Sequence, residues 1–309
     1  KEGYTVLVVG QDAKPSSYSI GEAQVYRTNP LLYGFETSSA VRSLFKDIGL
    51  IAEMRNKPKK IDPFLQVVTP GVRFEVTERQ QLNSEELARE FPSNSEDLER
   101  FLRAVVRDSS EMDQFLADLP MVPPKGFWAK RRLKKRLAQN HVFDEACEPV
   151  LFPGDLKFSS PMSALVLFLS RLHGRPISPF AVRRMLQHAM GGFFEFPQGI
   201  DGLKRLFTDR IIANGGAFWP ERHVEQMLLK GKQVSEIIVQ RPRRNAGVRL
   251  LVGNCPFKPF FSLIPQEQQD QQFHAFVKSL QPSSYNYVVN FVVPGDVVPA
   301  AMGQNVVLG

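Results

Sequence analysis

A helical stretch that stops on a glycine pair and passes directly into alternating strands leaves this chain few folds to choose from. Asp201 to Asn214 reads as a helix, and Gly215-Gly216 ends it. A glycine just past a helix end allows the left-handed cap, so the pair has a structural use whatever else it does. Ala217-Phe218 follows, then Val224-Glu225-Gln226-Met227, a Gly231-Lys232 turn, and Gln233 to Val239 with alternating apolar residues. This predicts two short strands joined by a tight turn. Near the other end of the chain, Thr5-Val6-Leu7-Val8-Val9 is an apolar β-branched run closing on Gly10, the pattern of a buried parallel strand.

Between these two landmarks the signals are mostly helical. Asp12 to Ser19 reads as a loop, and Thr37-Ser38-Ser39 supplies an N-cap for a helix through Phe45 and Ile48 that stops at Gly49. Val67 to Val76 predicts a hairpin turning at Pro70-Gly71. Asn83 or Ser84 opens a short helix ending near Pro92. Ser93 or Ser95 opens a longer one whose apolar stripe is Leu98, Phe101, Leu102, Val105 and Val106. Pro120, Pro123 and Pro124 break the chain before a basic helix from about Gly126 to Gln139. Helices around Ser163–Leu172 and Pro179–Met190 flank His173-Gly174, and Gly191 to Phe194 forms a turn with aromatic residues after it. Val248–Val252 and Tyr285–Val293 read as strands. Strands at both ends around a helical block predict an α/β unit interrupted by a second domain and then re-entered.

At 309 residues, 43% hydrophobic and 23% charged, the chain has the composition of an ordinary globular protein with room for two domains. The longest apolar run, Ala164 to Leu169, is far too short to span a bilayer. It is read either as the wall of a hydrophobic tunnel or as a buried core helix. No signal-peptide pattern opens the sequence, and Lys1 is read as the start of a fragment or of a processed form. Cys147 and Cys255 match no metal spacing, which points to a reducing, cytoplasmic setting. The five histidines, His141, His173, His188, His223 and His274, make neither a metal spacing nor a triad order, and each is read as structural.

Several of these segments together resemble the phytoene desaturase-like FAD-dependent oxidoreductases, an amine oxidase-like flavoprotein group. The resemblance is carried, in order, by Thr5 to Val9, by Asn29-Pro30-Leu31-Leu32 through Ile48-Gly49-Leu50, and by Arg89-Glu90-Phe91-Pro92. It continues through Phe194 to Leu203 (FEFPQGIDGL) and the glycine-pair hairpin. It implies an FAD/NAD(P)-binding-type, Rossmann-like α/β unit with a mixed-sheet substrate domain and a helical insert. Residues 1–60 and 195–255 would then belong to the FAD-binding-type domain, and 61–194 and 256–309 to the substrate or cap domain. The implied cofactor is FAD, and the implied substrate is a hydrophobic small molecule such as a polyene or isoprenoid. In such enzymes the flavin carries the hydride chemistry and the protein supplies placement.

Residue by residue, the resemblance transfers little. Val224 is the position whose backbone would meet the adenine edge. The family's second strand ends in a carboxylate that holds a ribose hydroxyl. Here Gly10 stands at that place, with Asp12 two residues on as the remaining candidate. The GxGxxG turn that would hold the pyrophosphate does not occur in the sequence. Gly295-Asp296 is a candidate for the C-terminal turn over the flavin, or an ordinary turn. No residue is assigned as catalytic. The rival reading is a flavoprotein-derived module that no longer binds FAD and serves as a non-catalytic interaction surface.

The basic helix raises a separate question. Phe127 and Trp128 precede Lys130, Arg131, Arg132, Lys134, Lys135 and Arg136, with Leu133 and Leu137 one turn apart. Trp128, Lys130, Arg131, Lys134 and Lys135 are candidates for a membrane-surface contact, which would make the protein peripheral to a bilayer. The alternative is a solvated face with Trp128 and the leucines in the core. Nucleic acid is disfavoured, since no RNA- or DNA-binding signature accompanies the charge.

Overall fold

The computed structural model describes residues 3–10, 14–27, 31–117, 124–139, 156–170, 177, 179–231, 233–282 and 287–309. Asp12, Lys232, Asn29-Pro30, His141, Cys147, His173-Gly174 and Tyr285 lie outside them.

The chain opens with β1 (Leu7–Gly10), β2 (Ser17–Ile20), β3 (Ala23–Tyr26) and β4 (Leu32–Tyr33). Helix α1 (Ser39–Asp47) starts where expected, because the Ser38 hydroxyl accepts from the Val41 N–H at 3.5 Å. It stops at Gly49, whose φ of 71° the left-handed cap requires. Then come α2 (Ile51–Asn56), β5 (Lys59–Ile61), β6 (Leu65–Thr69) and β7 (Val72–Val76). β6 and β7 pair antiparallel about the Pro70-Gly71 turn, as the sequence predicts. Helices α3 (Gln80–Glu90), α4 (Ser95–Ala117), α5 (Phe127–Ala138) and α6 (Leu156–Ser170) follow. α7 (Pro179–Met190) leads into β8 (Phe193–Glu195) and α8 (Gly199–Ala213). The last part contains β9 (Ala217–Pro220), β10 (Val224–Lys230), β11 (Gln233–Val239), β12 (Arg244–Gly247), α9 (Phe257–Ser262), α10 (Gln271–Ser279) and β13 (Val306–Leu308).

The result is a mixed α/β fold of several small sheets, divided into two compact units. The first comprises residues 1–27 and 200–288, the second 28–199 and 289–309. In the first, β1 and β9 pair in parallel with Leu7 opposite Ala217 and Gly10 opposite Pro220. β10, β11 and β12 form an antiparallel meander. Met227, Ile237 and Val239 are buried in it, with Val9, Trp219, Val224 and Phe260 packed around them.

The second unit has two three-stranded sheets, ordered β4-β8-β5 and β13-β6-β7. Its core joins Phe64, Val67 and Phe74 of the strand region to Leu98, Phe101 and Val105 of α4, and to Leu165, Val166 and Leu169 of α6. The run Ala164–Leu169 is therefore core wall on one side, although Leu167 stays exposed. Of the α4 stripe, Val106 is also exposed. Buried polar contacts tie α4 to α7. Arg183 and Asp108 form an ion pair, Arg184 reaches Asp113 at 2.6 Å, and the Ser109 hydroxyl meets Gln187 at 3.2 Å.

Four sequence expectations need correction. Val248–Val252 is not a strand. Val248 donates one hydrogen bond to Ser235 at 2.7 Å, after which Leu250 and Val252 stand 75% and 81% exposed. Residues 287–293 form no strand either, and Phe291 is exposed; strand-forming residues without a neighbouring edge stay unpaired. Part of the expected loop 12–19 instead forms the β2–β3 hairpin about Gly21. α6 begins at Leu156, earlier than expected, and carries Pro161 inside it.

Candidate functional site

The glycine pair does two separate jobs. Gly215 adopts φ 79°, and its N–H caps the Ile212 carbonyl at 3.0 Å. Gly216 donates to Ile211 O at 2.9 Å, and the next N–H, of Ala217, reaches Val6 O at 2.8 Å. The turn thus presses α8 directly onto β1. A Cβ on Gly216 would lie 2.7 Å from the Val6 carbonyl oxygen and 2.6 Å from Ile211 Cγ2. This close approach starts β9 in register beside β1.

The two parallel strands end together. At that end the Arg222 N–H donates to Gly10 O at 3.2 Å, and Glu221 takes a φ of 53° to make the bend. The chain then crosses to Val224, the first residue of β10, which packs in one cluster with Val9 and Trp219. The structure therefore brings Val224 beside the carboxyl end of β1. In open α/β sheets, ligands bind outside the carboxyl ends of parallel strands. Gly10 offers backbone but no side chain there, and Asp12 lies outside the described residues. Asp201, in the first turn of α8, anchors the approach by accepting from the Ser16 N–H at 2.6 Å. Burial pushes its carboxyl up, but the hydrogen bonds from Ser16 and Lys204 prevail and hold it below the usual carboxylate range. The β10–β11 hairpin is irregular between Val224 and Gln226 and turns at Gly231, whose φ is 65°.

Sequence reasoning missed the partner strand β9 and the cavity beside the meander. The cavity, of about 670 Å³, is walled by Phe261, Leu263 and Val277 and rimmed by Glu225, Lys258 and His274. Helices α9 and α10 border it, and α10 carries a signal that sequence reasoning missed: Asp270 caps it by accepting from the Phe273 N–H at 2.8 Å, and Phe273, Phe276 and Val277 keep helical spacing.

The other candidates fall in the second unit. Gly295-Asp296 lies in a single exposed 3-10 turn, residues Gly295–Val297. In α5, Phe127 and Trp128 are 70% and 73% exposed, so the alternative that places Trp128 in the core is overturned. Leu133 and Leu137 are half-buried on the opposite side of that helix. Among the described residues no group of three His, Cys, Asp or Glu could hold a metal, and no helix is long and apolar enough to cross a membrane.

His188 on α7 has a structural network rather than a catalytic one. Arg184 Nε–H can only donate, and it meets His188 Nε2 at 3.1 Å. The imidazole is therefore neutral with its proton on Nδ1, which donates to Thr37 Oγ1 at 2.7 Å. A hydroxyl that accepts from histidine is not activated as a nucleophile. Burial, then the charge of Arg184, lower the His188 pKa from 6.5, against an opposing pull from Asp113. The unfolded chain takes up this proton near the ordinary value while the folded chain resists it. Stability is therefore lost as pH falls below 6.5 toward the lowered folded value. Urea unfolding followed across that window should show a slope in the wild type that His188→Gln removes.

No protein-family model matches the sequence, and no curated protein matches it. The fold is similar to that of the PF1083 protein from Pyrococcus furiosus, at 14% identity and a TM-score of 0.51, covering 91% of this chain and 60% of that one. It is also similar to an oxidoreductase from Methanosarcina mazei, at 15% identity and a TM-score of 0.50, covering 91% of this chain and 61% of that one. The chain thus spans about three fifths of the length of each. At such identities the likeness is one of fold.

Proposed function

We propose that the chain is part of an FAD-dependent oxidoreductase of the phytoene desaturase-like type, acting on a hydrophobic small molecule. One observation carries this reading: Val224, the expected adenine contact, sits at the carboxyl end of the parallel β1–β9 pair, joined to it through Arg222 and Gly10. The fold shared with an oxidoreductase supports the reaction class. The residues present fit one end of such a cofactor. The Val224 peptide is the candidate for the adenine edge, and Asp12 is the candidate for its ribose. FAD, when bound, would accept hydride from a substrate carbon. The chain's own contribution at this site is to bind and orient the nucleoside.

Gly10 is the observation that favours the rival, an interaction module without flavin, because a glycine cannot supply the ribose-binding carboxylate. One titration separates the two. Adding FAD to the natural protein should quench its fluorescence and leave a flavin absorption band after gel filtration. Asp12→Ala should weaken uptake about tenfold, the loss expected for one charge-assisted hydrogen bond. A colourless protein that takes up no added FAD sinks the oxidoreductase reading.

A further inference from the structure

Helix α5 carries a polar-aromatic surface that the proposed chemistry does not use. From Lys125 to Arg136 the sequence holds seven cations and no carboxylate. Among the described residues none of Lys130, Arg131, Arg132, Lys134 and Lys135 is ion-paired to an acidic side chain. Residues three and four apart share a helix side. Ala129, Leu133 and Leu137 lie together and are half-buried, so this is the less exposed side. The opposite side aligns Phe127 and Trp128 with Arg131, Lys134 and Lys135, all exposed. No residue of α5 is fully buried. The membrane-facing stripe that the leucines suggest is thus replaced by an aromatic pair at the helix start with a cationic strip behind it.

We infer that this face of α5 docks on an anionic lipid bilayer surface. Charge complementarity selects the partner. The five cations Lys130, Arg131, Arg132, Lys134 and Lys135 match a sheet of anionic headgroups, and two weak signals together, an apolar insertion and a polybasic patch, give stable peripheral binding. Tryptophan prefers the headgroup level of the interface, and phenylalanine belongs to the apolar face of interfacial helices. No RNA- or DNA-binding signature accompanies the charge, which argues against nucleic acid as the occupant. Phe127 packs against Trp128 in an edge contact with centroids 5.5 Å apart, and the Arg131 guanidinium lies 5.9 Å from the Trp128 ring centroid. The inference stands independently of the flavin reading.

The test uses the full chain with vesicles of phosphatidylcholine alone and of phosphatidylcholine mixed with phosphatidylserine. Co-sedimentation should occur with the anionic vesicles only and should be reversed at about 1 M salt, where the screening length falls to about 3 Å. Trp128 emission should shift to shorter wavelength on binding, and the shift should be absent in Trp128→Phe, which leaves only Trp219. Replacing Arg131, Lys134 and Lys135 by glutamine should weaken partitioning about a hundredfold, with circular dichroism confirming an unchanged fold. Failure to bind anionic vesicles overturns the inference. So does binding that leaves Trp128 emission unmoved, or preference for a single-stranded oligonucleotide over the vesicles.

Discussion

Truncating Phe193 to alanine should lower the stability of the second unit by about 3–5 kcal/mol. Phe193 is 1% exposed and sits on β8, the middle strand of the β4-β8-β5 sheet. Its ring meets Tyr33, Phe64 and Phe168 at centroid distances of 5.2, 5.1 and 6.2 Å. Those partners come from β4, the segment before β6, and α6, so one ring couples elements far apart in the chain. Its neighbours cannot close the gap. Phe64 is itself fully buried, and β8 is held on both sides by β4 and β5. The removed ring therefore leaves a cavity as well as lost burial. Urea unfolding followed by near-ultraviolet circular dichroism measures the cost. Phe193→Leu should cost about 1 kcal/mol, because most of the volume remains. Equal effects from the two variants would mean that the site collapses freely and that this packing account is wrong.

Gly216→Val should destabilise the first unit by about 3 kcal/mol, the upper end of the range for overpacking. The clash is with the Ile211 Cγ2 methyl at 2.6 Å and with the backbone carbonyl oxygens of Val6 and Ile211 at 2.7 and 3.0 Å, and the backbone part cannot be relieved by a rotamer change. Relief requires moving α8 away from β1, which shifts β9 out of register. Trp219 lies on β9, so its emission reports this unit directly. Gly215→Ala tests the other role of the pair. It meets no atom within 4 Å but holds φ at 79°, so its cost should be about 1 kcal/mol, from backbone conformation alone. If FAD binds this unit as proposed, Gly216→Val should lose it and Gly215→Ala should keep it. Equal stability losses at the two glycines would refute the division of roles.

Much of this could be read locally. Ser38 as an N-cap, Gly49 as a stop, the Pro70-Gly71 hairpin, the span of α7 and the Gly231 turn are all written in residues a few positions apart. Short-range sterics and hydrogen bonds fix them before any long-range contact forms. What failed needed a partner. Val248–Val252 has strand composition but no strand beside it, while Ser17–Ile20 looked like loop and found a partner in Ala23–Tyr26.

The candidate site divides the same way. The glycine pair, the hairpin and the position of Val224 along it follow from the sequence. Only the tertiary structure decides that β9 lies parallel to β1, because those strands are separated by most of the chain and neither carries its register alone. It likewise decides which side of α5 faces outward. Periodicity marks Leu133 and Leu137 as one stripe, but whether a stripe meets protein or lipid depends on what packs against it. Here the leucines are half-buried while Phe127 and Trp128 are exposed on the other side of the helix, a division that depends on the surroundings and not on periodicity.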